Sequence, residues 1–161
     1  MSGGWAGLDP GRSKCGLVRC NAGCTTVLAA LIEPPDACLQ RLSQWRSEGL
    51  EGVVLGDGTG SGDWPGRLRH LGLVVVVVNE RGTTLAARTR YWELLPPRGW
   101  RRWLPRGLRM PLRAIDDVVA QLLLERWLGT VLHRDPALEA PLLDQERGVR
   151  RVQKRARTVK A

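Results

Sequence analysis

Leu73-Val-Val-Val-Val-Val78 is the stretch on which the fold turns. Apolar residues fill both of its faces, a pattern that predicts an interior parallel strand covered by helices on either side. Counting back through Gly72, the unbroken run begins at Leu71, far short of the roughly 20 residues a bilayer demands. Upstream, Gly52-Val-Val-Leu-Gly56 reads as a brief buried strand, joined to the valine run by the Gly-rich loop Asp57–Gly62 and a short helix from Trp64 to Leu71. Pro34-Pro35 opens a helix to about Glu48, with Ala37, Cys38, Leu42 and Trp45 at helical spacing and Gly49 as its stop. Before that, Trp5–Asp9 reads as a strand ended by Pro10-Gly11, and Lys14–Cys20 and Thr25–Ile32 as a hairpin around Asn21-Ala-Gly23. Downstream, Thr83 to about Leu94 and Ala114–Leu132 read as helices. Hairpin strands pair antiparallel, while strands linked by helices add in parallel through right-handed crossovers. The expected fold class is α/β, a five-stranded mixed sheet with helices on both faces.

The chain has 161 residues, a length that suits one domain of the common size of about 100–200 residues. With 43% apolar and 25% charged residues it has the composition of a folded protein with a core of its own. The N-terminus carries no basic segment followed by an apolar one, so the expected location is cytoplasmic, with no membrane association and with reduced thiols. Cys15, Cys20, Cys24 and Cys38 include no C-x-x-C pair, which argues for structural thiols rather than a zinc site.

The formal charge of +9 is unevenly spread. Residues 1–80 are close to neutral at −1, residues 81–113 hold nine Arg against Glu93, residues 114–146 carry −5, and residues 147–161 hold seven basic side chains and no acid. That balance predicts a polyanionic partner, nucleic acid. In Arg98-Gly-Trp-Arg-Arg-Trp-Leu-Pro-Arg-Gly-Leu-Arg109, arginines suited to phosphate alternate with tryptophans suited to stacking on an unpaired base. Pro96, Pro97, Pro105 and Pro111 make most of it a loop. The expected nucleic-acid contacts are Arg12, Lys14, Arg81, Arg98, Trp100, Arg101, Arg102, Trp103, Arg106 and Arg109. The expected organisation is one domain over residues 1–132, including the basic loop 95–112, then an extension over 133–161 ending in a basic, disordered tail.

In a sheet of this kind ligands gather at the carboxyl ends of the parallel strands. Asp9, Asp57 and Glu80 each follow such a strand. On the last helix, at about 100° per residue, Asp117, Gln121 and Glu125 share one face, expected to be solvated. Asp116 falls instead with Ala120, Leu123 and Trp127, where an acid is costly unless paired, hydrogen-bonded or bound to a metal. Carboxylates gathered in a cleft of a basic protein suit phosphodiester hydrolysis, since hard oxygen ligands select Mg²⁺ or Mn²⁺ and the cations offset their repulsion of phosphate.

Three stretches carry a resemblance. Leu8-Asp9-Pro-Gly-Arg-Ser-Lys-Cys-Gly16 resembles the first-strand motif of RNase H-like nucleases of the RuvC and YqgF type. Val78-Asn-Glu80-Arg-Gly-Thr-Thr84 is similar to the Asp-Glu-Arg-Leu-Thr-Thr motif of the YqgF-type family, and Asp116-Asp-Val-Val-Ala-Gln-Leu-Leu-Leu-Glu-Arg-Trp-Leu128 to its last helix. The resemblance spans about residues 5–130. It implies an RNase H-like fold with strand order 3-2-1-4-5 and a metal-dependent endonuclease, a Holliday junction resolvase or a nuclease processing precursor rRNA. Asp9, Glu80 and Asp116 would be the catalytic, metal-binding acids, with Asp57 as a possible addition. A homodimer is a candidate, since resolvases cut symmetrically in pairs. Departures are the stretch Leu55–Gly62, where the family has a Gly-Leu-Pro-like segment, Asn79 in place of an Asp, and Val119 in place of Ala. The runner-up reading is a non-catalytic nucleic-acid-binding module on the same fold. A nucleotide-handling protein of the actin or sugar-kinase type would need two domains, which 161 residues do not supply.

Overall fold

Alternation along Trp5-Ala-Gly-Leu-Asp9 fixes which way each side of the central strand faces. In this computed structural model the described residues are 3–58, 61–97, 99–139, 141, 142 and 144, with Arg106 described by its backbone alone. The strands are β1 (Trp5–Asp9), β2 (Cys15–Cys20), β3 (Val27–Glu33), β4 (Gly52–Gly56) and β5 (Val74–Val78). The helices are α1 (Pro35–Ser47), α2 (Trp64–His70), α3 (Thr83–Leu94) and α4 (Asp116–Leu128). The sheet order is β3-β2-β1-β4-β5, with β1, β2 and β3 antiparallel in sequence and β1, β4 and β5 parallel. This is the expected α/β class, with the expected strand order 3-2-1-4-5.

Local chemistry sets the boundaries. Asn21 accepts the backbone N–H groups of Thr25 and Thr26 at 2.8 and 3.1 Å, which closes the β2–β3 turn. Pro35 starts α1 with its φ already helical. Gly129, in the left-handed region at φ 69°, caps α4 so that it ends at Leu128, four residues before the expected Leu132.

Because side chains alternate along a strand, β1 sends Ala6 and Leu8 to one face, where they join Leu17, Val53 and Leu55 under Leu42 and Trp45 of α1 and Leu68 of α2. Burying each such side chain contributes about 1.5–3 kcal/mol. Trp5 points to the other face, with Val18, Val54, and Ala120 and Leu124 of α4. Trp5 and Trp127 meet with centroids 4.1 Å apart and fasten the end of α4 to the start of β1. All four cysteines are free and buried, as structural thiols would be.

Two expectations are corrected. The valine strand is not interior: β5 is the sheet's edge, and Val74 and Val77 are 56% and 49% exposed. An all-valine run reads as doubly covered, but no described strand lies beyond it to extend the sheet. The second correction is the polar face of α4. Asp117 and Gln121 are fully buried and Glu125 nearly so. The segment after residue 132 returns over them. His133 pairs with Thr26, and Arg134 and Glu139 are buried against α4. No helix among the described residues is long and apolar enough to cross a membrane.

Candidate active site

Asp9 closes β1 on the face that looks toward α4, one alternation beyond Gly7. Its carboxyl titrates at about 7 rather than 3.8, chiefly because burial penalises the charge, then because Asp116 and Glu80 add like charge; Lys14 opposes the shift. One shifted group therefore registers all three acids that the sequence singles out.

Glu80 reaches the same end of the sheet from β5. The Asp57 N–H donates to the Val78 carbonyl at 3.0 Å, and the Asp57 carboxylate accepts the Glu80 N–H at 3.0 Å. Asp57 thus braces the backbone that carries Glu80. The Glu80 carboxylate lies over the end of β4, where a Cβ on Gly58 would sit 2.0 Å from its Oε1 and one on Gly56 would sit 2.5 Å from its Oε2. From α4, Arg126 donates to the Asn79 carbonyl and, at 3.5 Å, to that of Arg81, which ties the turn to the helix.

Asp116 arrives through close packing of α4 on the sheet. A Cβ on Gly16 would be 1.9 Å from the Asp116 carbonyl oxygen, and one on Gly7 would be 2.1 Å from that of Ala120. The glycines let the helix start descend onto β1 and β2. Acids in a first helical turn also suit the helix dipole. Lys14 Nζ stands 3.2 Å from Asp116 Oδ2, so this residue, expected to touch nucleic acid, is paired inside the acidic group.

Asp117 faces away from that cluster. It pairs with Arg113 at 2.6 Å and with Arg134, and Glu139 pairs with Arg113 at 2.6 Å, all four side chains being almost wholly buried. Gln121 donates to Glu125 at 2.8 Å and accepts from Arg134 at 3.2 Å. Neighbouring aspartates therefore serve different ends: Asp117 holds structure, and Asp116 is directed to the carboxyl end of the sheet. The sequence signal missed for this packing is the recurrence of small residues at Gly7 and Gly16.

The chain matches no known family profile and no curated protein by sequence. It is similar in structure to "T. thermophilus RuvC in complex with Holliday junction substrate". The TM-score is 0.44 at 15% identity, over 80% of this chain and 97% of that one.

Among the described residues no three His, Cys, Asp or Glu side chains are gathered closely enough to hold a metal ion as they stand. The donor set nevertheless fits a hard divalent cation in chemistry and charge. It consists of carboxylate oxygens only, and the carboxyl of Asp9 is held partly protonated at neutral pH by burial and by its acidic neighbours.

The expected nucleic-acid residues divide. Trp100 and Trp103 are 68% and 81% exposed on a 3-10 turn, not docked on the core. Arg101 stacks over Trp100 at 5.7 Å and Arg102 over Trp103 at 5.6 Å, pairing flat faces with cations. Arg12 and Arg81 are exposed. Arg109 is committed to the carbonyls of Leu104 and Arg102, at 2.8 and 2.9 Å. Arg98, the side chain of Arg106 and the basic tail lie outside the described residues.

Proposed function

We propose that this chain is a divalent-cation-dependent nuclease that hydrolyses phosphodiester bonds in branched DNA or structured precursor RNA. The observation that supports the reading is that Asp116 and Glu80 lie near enough to the Asp9 carboxyl, at the end of β1, for their like charge to raise its pKa. The exposed Trp and Arg side chains of residues 99–103 support nucleic acid as the polyanion.

In this reading Asp9, Glu80 and Asp116 would hold Mg²⁺ or Mn²⁺. When bound, such cations act as Lewis acids on the phosphodiester and stabilise the leaving oxygen. Asp57 keeps Glu80 in place through the Glu80 N–H. Lys14 offsets the charge of Asp116. Asp9 keeps its proton up to about pH 7 and gives it up as positive charge enters. Exposed arginines hold the phosphate backbone beside the acids.

The test is cleavage of a four-way DNA junction and of a precursor rRNA fragment, with and without Mn²⁺. Wild type should cut one of them only with the cation, and Asp9→Asn should reduce the rate to background. Cleavage that persists in purified Asp9→Asn protein sinks the reading.

The Lys14–Asp116 ion pair favours a second reading, a non-catalytic nucleic-acid-binding module in which lysine permanently replaces the cation. In that case Mn²⁺ neither binds the protein nor changes its affinity for nucleic acid.

A further inference from the structure

Between α3 and the arginine-rich segment that follows it lies a pocket of about 350 Å³, separate from the acidic group. Small-molecule sites run from about 300 to 1,000 Å³, so it suits one small planar group. Leu85, Trp92 and Pro97 give it apolar walls, and Arg88 and Glu93 supply charge. The Trp92 indole is fixed: its N–H donates to the Arg109 carbonyl at 3.1 Å, and Tyr91 packs edge-on with centroids 5.0 Å apart. Leu85 is 71% exposed, an apolar side chain left at the rim. Gly107 also lines the pocket, and a Cβ there would meet nothing within 4 Å.

Charge identifies the occupant. Residues 81–113 hold nine arginines and one acid, so a polyanion is drawn to this surface. The single acid, Glu93, lines the pocket and is held at 3.2 Å by Arg90, where its oxygens can accept from an amino edge. Arg88 projects exposed from α3, as a phosphate contact requires. A flat, apolar-faced group with an amino edge and an attached phosphate is a nucleotide. In a duplex both faces of a base are covered by its neighbours, so only an unpaired base is available to stack on an indole. We infer that this pocket receives one unpaired base of a nucleic-acid strand, stacked on Trp92 with its phosphate at Arg88. The inference rests on the nucleic-acid part of the proposed function and not on catalysis.

The test uses the full chain in EDTA, so that no cation-dependent cleavage intervenes. The probes are a short DNA duplex, the same duplex with one unpaired 2-aminopurine, and the RNA counterparts of both. The bulged form of DNA or of RNA should bind about tenfold tighter than its perfect duplex, with a saturable change in 2-aminopurine fluorescence; the backbone that shows the preference names the substrate. Gly107→Leu, which adds a side chain to the pocket lining where there is open space, should bring the bulged probe back to duplex affinity. Leu85→Glu should do the same from an exposed rim position that folding does not depend on. Equal binding of bulged and perfect probes by wild type overturns the pocket and leaves the nuclease reading to the cleavage assay. A preference that survives both variants with unchanged melting also overturns it. Binding of none of the probes overturns the pocket and the nucleic-acid reading together.

Discussion

A carboxyl buried at the end of β1 among other acids costs the fold stability at neutral pH. An unfolded aspartate titrates near 3.8, whereas Asp9 titrates at about 7 in the fold. Between those values the native state binds the additional proton. Stability from this group is therefore intact below about pH 4 and declines as pH rises, until the loss is complete above pH 7. Allowing for partial solvation, the cost is about 1–3 kcal/mol. Asp9→Asn should melt several degrees above wild type at pH 8 and level with it at pH 4, as read by thermal circular dichroism. An identical difference at both pH values refutes the burial argument. The cation hypothesis adds a second expectation. Millimolar Mg²⁺ or Mn²⁺ at pH 8 should raise the melting temperature of wild type by linkage and leave that of Asp9→Asn unchanged. If both proteins respond alike, the ions act elsewhere.

At the level of elements, α4 decides whether there is a site, because its first turn carries Asp116. Gly16→Ala would place a methyl 1.9 Å from the Asp116 carbonyl oxygen, so the helix start must lift from the sheet. Overpacking of this kind costs about 1–3 kcal/mol, measurable by urea denaturation, with cleavage lost in parallel. Gly66→Ala on α2, where a Cβ meets nothing within 4 Å, should be neutral or slightly stabilising and serves as the control. Asp117→Ala should cost about 3–5 kcal/mol, because it leaves the two buried guanidinium groups of Arg113 and Arg134 to share the single carboxylate of Glu139. These elements also mark how far the sequence could be read. β1, β2 and β4 follow from short apolar runs between Gly, Pro and Asn turns, which are local signals. The separation of Asp116 from Asp117 on a helix wheel is local too, and the two residues do differ. The sense of the difference for Asp117, Gln121 and Glu125 was not legible, because their cover comes from Arg134 and Glu139, which approach only after the chain turns back. The valine strand misleads for a related reason. Periodicity reports side-chain chemistry, whereas edge or centre depends on which strands lie beside it.

On the proposed function, the acids and the basic side chains would divide the work of binding a polyanion across the whole molecule. The acidic group repels phosphate, so affinity must come from residues 81–113 and from the seven basic side chains between Arg147 and Lys160, the latter outside the described residues. Each phosphate neutralised releases counterions and steepens the fall of log K with log salt by about 0.9 for duplex DNA. Replacing those seven side chains by Gln should flatten the slope by up to about 6 if all of them touch phosphate. Trp100→Ala with Trp103→Ala should weaken binding by about 1–3 kcal/mol per stacked base and leave the slope unaltered, since stacking displaces no counterions. Fluorescence anisotropy across a salt series separates the two contributions. A slope that is unchanged by the Gln substitutions would confine the phosphate contacts to the domain, with Arg101 and Arg102 beside the exposed Trp100 and Trp103 as their expected seat.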